Sequence, residues 1–92
     1  MLVVRRLIWD TWNVAHIARH RVTPEEVEEM CQGTPVTSTT YKGRLRVVGP
    51  TADGRMLTAI LAPTGAPGVY YPITARPADR KERRGYEEER ER

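Results

Sequence analysis

The sequence predicts an α+β protein in which two N-terminal helices and a C-terminal helix pack on an antiparallel β-meander, as a sandwich of two layers. Three observations carry that expectation. Asp10 and Thr23 each precede a segment of helical apolar spacing; the period changes to alternation after Gly33; and the chain from Asp79 onward is charged and helix-favouring. With 92 residues, 39% of them apolar, the chain suits one domain around a modest core. We expect that domain to span residues 1–86, with 87–92 a charged helix end that frays.

Taken in order, residues 2–8 (LVVRRLI) are β-branched and apolar around two Arg and predict a first strand. Asp10 is placed to cap a helix reaching about Arg21, with Val14, Ile17 and Ala18 as its apolar stripe. Asn13, His16 and His20 fall along one flank of that stripe. In VTPEEVEEMCQGTP, Thr23 is an N-cap, Pro24 the first helical residue and Glu26 the return arm of a capping box. Val22 and Val27 stand where a hydrophobic staple needs them, and Gly33 with Pro35 ends the helix. Val27, Met30 and Cys31 are expected to face inward.

The alternating segments VTSTTY and RLRVV, joined by Lys42-Gly43, predict a hairpin with Leu45 and Val47 on one face and Arg44 and Arg46 side by side on the other. Asp53-Gly54 signals a second hairpin into MLTAILA, apolar on both faces and so expected to be central. VYYPITAR is the last strand, where Pro72 implies an edge position or a bulge. Asp79 and Glu82 then resemble another capping box, opening a helix whose large apolar anchor is Tyr86. Its far end, EEERER, can hold pairs such as Glu88 with Arg92.

No stretch approaches the ~20 apolar residues of a membrane helix, and the opening MLVVRRLIWD reverses the order of a secretory signal. A cytoplasmic location without membrane contact is expected. The single cysteine, Cys31, cannot form an internal disulfide. Net charge is +3, but positive blocks at residues 1–21 and 34–55 flank an acidic helix carrying four Glu. That distribution suits contact with an anionic polymer through part of the surface. A well-solvated surface would look the same.

The final helix poses an electrostatic problem. Its N-terminus already carries about half a positive charge from the backbone dipoles, yet Arg80, Lys81, Arg83 and Arg84 crowd there behind Arg76. A bound phosphate, held also by the amides of residues 80–82, would supply the missing counter-charge. Pairing with Glu82, Glu87 and Glu88 along a solvated helix is the alternative.

Two segments carry a resemblance to a known family. WDTWNVAHIARHRVTPEEVEE resembles the opening of the BrnT toxins, and ITARPADRKERRGYEE resembles their closing motif through Ile73, Thr74, Ala75, Arg76, Glu82 and Tyr86. The likeness covers nearly the whole chain and implies a RelE-like fold. It implies a ribonuclease toxin of a type II toxin–antitoxin pair, neutralised by a BrnA-like ribbon-helix-helix antitoxin. The chain departs from the family at Arg21, where glycine is usual, and at Pro24, where an aromatic residue is common.

Metal-free RNA cleavage requires a positioned backbone, stabilised phosphoryl charge and assisted proton transfer. Arg76 and Arg80 are the candidates for charge stabilisation, and His20 or His16 for proton transfer, since imidazole titrates near neutrality. The resemblance favours His20. Arg44, Arg46, Lys81, Arg83 and Arg84 are candidate RNA contacts, and Tyr70, Tyr71 or Tyr86 could stack on a base. Each of these side chains also has an ordinary structural role open to it. A zinc site from His16, His20 and Cys31 is not expected, because the Glu that follows the first His in zincins is replaced by Ile17. Without a glycine-rich phosphate loop or CxxC pair, no cofactor is expected. Two other readings stay open: a BrnT-like protein- or nucleic-acid-binding module without activity, and a homodimer joined through sheet edges.

Overall fold

The computed structural model describes residues 4–91. Its elements are β1 (Arg6–Leu7), α1 (Thr11–Ala18), α2 (Pro24–Gln32), β2 (Val36–Thr39), β3 (Leu45–Pro50), β4 (Met56–Pro63), β5 (Val69–Pro77) and α3 (Arg80–Arg90). The α+β class and the element order match the sequence. The start of the first strand at Leu2 and Val3, and the Glu88–Arg92 pair, lie outside the described residues.

The five strands form one sheet in the order β1-β5-β4-β3-β2. Strands β2 to β5 are the expected antiparallel meander, with β4 at the centre. β1 corrects the expectation of a wholly antiparallel sheet. It pairs in parallel with β5, Arg6 opposite Val69 and Leu7 opposite Tyr70, so the sheet is mixed. The chain leaves β1 through α1 and α2 and re-enters at the far edge, the kind of crossover that parallel strands require.

The two N-terminal helices start where their caps predict. Asp10 accepts from the Asn13 amide, and Thr23 from the Glu26 amide, each with a return bond from the side chain three residues on. Val22 and Val27, the staple residues, are both buried. α1, however, buries a different face from the one its apolar residues predict. Val14 and Ala18 are exposed, and Asn13 is buried beside Ile17. The Asn13 amide donates to Ile8 O at 2.9 Å and Pro72 O at 3.1 Å, and its Oδ1 accepts from Asp10 N at 2.9 Å. Satisfied in this way, an amide is stable inside, and it fixes the rotation of the helix.

The core lies between these helices and one face of the sheet. Ile17, Val22, Val27 and Met30 pack on Leu45, Val47, Leu57, Ala59, Leu61 and Ala75, and Val47, Ala59 and Ala75 form a single row across three strands. Removing a side chain such as Leu57 from water contributes roughly 2 kcal/mol.

Alternation sends the neighbours of these residues to the opposite face, where Val36, Val48, Thr58 and Arg76 form another row. α3 packs there, giving three layers rather than two. Its eleven residues at ~1.5 Å each span about 16 Å, enough to cross three strand spacings of ~4.8 Å. Glu82 meets Arg76 on β5, while Tyr86 Oη, beyond β2, donates to Thr34 O at 3.0 Å. With no buried residue, α3 is too polar to cover the core.

Pro72 lies inside the sheet, next to a bulge. Ile60 faces Thr74 and Leu61 faces Pro72, so Ile73 is the extra residue. The Pro72 carbonyl is directed to the β1 side, where Asn13 donates to it. The missing N–H therefore costs no ladder bond with β4.

Candidate functional site

Because α3 crosses the outer face obliquely to the strands, it leaves an open groove of about 630 Å³ against β2 and β3. Ser38, Arg46 and Val48 form the floor; Lys81, Glu82, Gly85 and Tyr86 form part of the wall. A Cβ added at Gly85 would meet nothing within 4 Å, so the wall is low at its middle. The charges are mixed, since Asp79, Glu88 and Glu89 line the groove as well.

Arg76 is fixed behind this wall. Nη1 donates to Glu82 Oε1 and Nη2 to Oε2, both at 2.8 Å, and Nη1 also reaches Pro77 O at 3.3 Å. Burial works to raise the Glu82 carboxyl, but the Arg76 hydrogen bonds and the Asp79 amide outweigh it and hold the group down to about 2. The buried Thr58 hydroxyl lies near enough to assist electrostatically without reaching hydrogen-bonding geometry. Arg76 is raised in turn, first by its bonds to Glu82, with burial opposing. Glu82 thus stays ionised at any physiological pH. Its low basicity suits it to holding a guanidinium, not to accepting a proton.

The start of α3 supplies its own counter-charge. Asp79 accepts from the Glu82 amide at 2.8 Å while Glu82 accepts from Asp79 N at 2.9 Å. Carboxylates of the chain itself therefore stand at this helix end, as the capping box expected from the sequence. Arg80, Arg83 and Arg84 are exposed and stand outside the groove. Arg44, half-buried before the first residue of β3, is outside it too. Of the expected cations, Arg46 and Lys81 line the groove, with Arg76 behind.

The structure does not bring the histidines to this place. α1 covers the core face of the sheet, opposite α3, and His16 and His20 go with it. His16 stacks on Trp12 with ring centroids 4.9 Å apart, and His20 meets His16 edge-on at 6.0 Å. Among the tyrosines, Tyr70 packs against the core, while Tyr71 donates to Asp10 Oδ2 at 2.9 Å and Oδ1 at 3.1 Å. Tyr86 lines the groove. Burial, with the charge of Glu28, pushes the Cys31 thiol up to about 12, so it carries no thiolate. No group of three or more His, Cys, Asp or Glu suited to a metal occurs among the described residues.

Sequence reasoning treated Glu82 as a cap and, as the alternative to a bound phosphate, as one of three carboxylates pairing with the clustered bases, without singling out Arg76 as its partner. The signal was present: Pro77 and Ala78 turn the chain directly from the end of β5 to the Asp79 cap, which returns Glu82 to Arg76. The tie from Arg55 Nη1 to both Glu26 Oε2 (3.0 Å) and Arg21 O (2.8 Å) had no such local signal.

No known family model matches the chain, and no curated protein matches it. No helix among the described residues is long and apolar enough to cross a membrane.

Proposed function

We propose that the chain is a BrnT-like ribonuclease toxin of RelE-like fold, gripping RNA in the groove between α3 and the outer face of β2 and β3. One observation carries this reading. Of the spaced positions on which the resemblance rests, Glu82 and Tyr86 line this groove beside Arg46 and Lys81, and Arg76 is bonded to Glu82 directly behind the wall. Of the five guanidinium N–H donors, three are engaged by Glu82 and Pro77, which leaves two for a phosphoryl oxygen. Glu82 holds them in place before substrate arrives, the arrangement that electrostatic stabilisation requires.

A second support comes from Arg21. Its φ of 60° is left-handed, a conformation glycine adopts freely, at the position where the resembled family usually carries glycine. A cytoplasmic location and a ribbon-helix-helix antitoxin partner belong to the same reading.

The alternative, a BrnT-like binding module without activity, is favoured by a different observation. No imidazole stands in the groove, and Glu82 is too weak a base. Incubating the purified chain with RNA in the presence of EDTA separates the two. Cleavage that disappears in Arg76→Ala, with the circular dichroism spectrum unchanged, supports the nuclease. Salt-dependent RNA binding without product supports the module. Failure to bind RNA at all removes the nuclease and leaves the module only as a binder of protein.

A further inference from the structure

Trp12, His16 and His20 form a ladder of rings along one side of α1 and the turn that ends it. Trp12 is 57% exposed; His16 lies parallel to it within 7°, and His20 meets His16 at 75°. Among the described residues, neither imidazole forms a hydrogen bond or ion pair through its side chain; their contacts are the ring contacts alone. Two ring nitrogens per residue are therefore open to a ligand, on side chains four positions apart, one in the last turn of α1 and one in the turn that follows it.

Metal geometry fits that spacing. Bonds of ~2.1 Å from one ion to two imidazole nitrogens set the ring centres no more than roughly 6.5 Å apart. That limit is for a linear ion; at angles of ~90–110° the centres close to roughly 4.6–5.3 Å, so the observed 6.0 Å shortens by about 1 Å, a movement open to the exposed His20 side chain. Neither ring has a carboxylate bonded to it, which offers nothing to Mg²⁺ or Ca²⁺, ions that need oxygen ligands. Arg19, exposed in the same turn, adds like charge and further favours ions held by strong nitrogen bonds.

We propose that His16 and His20 chelate one divalent transition ion, Cu²⁺ more tightly than Ni²⁺ or Zn²⁺, with water completing the coordination. Cys31 takes no part, being on the buried side of α2 with its thiol protonated. The site lies on the opposite face of the sheet from the groove and does not depend on the RNA reading. Its structural effect is local. α1 ends in short i to i−3 bonds, Arg19 N to His16 O at 3.3 Å and His20 N to Ile17 O at 2.9 Å, and a bridging ion closes that turn a second time.

The stacked indole provides the readout. Cu²⁺ and Ni²⁺ quench tryptophan emission at short range, and Trp12 touches the first ligand, whereas Trp9 is bonded to Glu28 at 3.0 Å. The untagged full chain is titrated with CuCl₂, with NiCl₂ and with MgCl₂. We expect saturable quenching near one equivalent of Cu²⁺, reversed by EDTA, weaker binding of Ni²⁺, and no response to Mg²⁺. His20→Ala preserves the Trp12–His16 stack but should weaken Cu²⁺ binding about tenfold or more. Trp12→Phe should lose most of the quenching yet keep a Cu²⁺-dependent rise in melting temperature. Quenching with an unchanged midpoint in His20→Ala overturns the proposal, as does a wild-type chain whose emission and melting both ignore Cu²⁺.

Discussion

Arg76 at the end of β5 and Glu82 in the first turn of α3 are joined by two parallel hydrogen bonds of 2.8 Å. The Glu82 side chain is 11% exposed and that of Arg76 39%, so the pair is shielded on one side and solvated on the other. After allowance for that solvent, its contribution is about 1–2 kcal/mol. Glu82→Gln should destabilise the fold by that amount at pH 7, measured by urea unfolding.

The same pair sets an acid dependence. The folded-state Glu82 carboxyl is held at about 2, below the ordinary 4.5, so its stabilisation is fully present above pH 4.5 and is lost as pH falls toward 2. Unfolding free energy of the wild type should decline across that window. Glu82→Gln should show a shallower decline there, and identical slopes would mean the Glu82 carboxyl is not held below its ordinary value in the folded protein.

For RNA, position in the groove should matter more than charge alone. Arg46→Ala and Lys81→Ala should each weaken binding and reduce the salt dependence by about one counter-ion. Arg83→Ala and Arg84→Ala, which remove equal charge outside the groove, should have the smaller effect in fluorescence anisotropy titrations.

At the junction of α1 and α2, Arg21→Gly should stabilise the protein. The left-handed φ of 60° costs an ordinary residue ~1–2 kcal/mol, partly offset by the greater freedom of glycine in the unfolded chain. The net expectation is a gain of about 0.5–1 kcal/mol, visible as a higher melting temperature. The bond from Arg55 to the residue 21 carbonyl does not involve the side chain and should survive.

Asn13→Ala should be among the most damaging changes. It deprives the carbonyls of Ile8 and Pro72 of their donor and leaves a void at the start of α1, costing about 2–4 kcal/mol. Asn13→Asp should not rescue it, because an ionised carboxylate cannot donate to two carbonyl oxygens. Thermal denaturation of the three proteins tests both statements.

Asn13 also shows why part of the structure was hidden in the sequence. Thr23, Pro24 and Glu26 specify a helix start through neighbours within four positions, and Asp79 with Glu82 does the same for α3, so those elements are legible locally. Asn13 is buried because of a carbonyl on a strand 59 residues away, and a wheel that sorts residues by polarity turns α1 the wrong way. The face chosen by α3 is equally non-local: it follows from the row containing Thr58 and Arg76, whose alternation is readable only once the strand register is known. For the groove, sequence could nominate Arg46, Arg76, Lys81 and Tyr86, but it could not separate them from the outward-facing Arg80, Arg83 and Arg84. Nor could it show that a sheet divides them from His16 and His20.

α3 is tied to the sheet at two points about one turn apart, Glu82 to Arg76 and Tyr86 to Thr34, and none of its residues is buried. A helix with no buried residue peels away at a small fraction of the free energy needed to melt the sheet beneath it. Its amide protons should accordingly exchange with solvent well before those of β4. Any molecule that bridges the helix to the strands below would then pay for its own ordering of the chain's least secured part, and would report its arrival as slowed exchange along that helix.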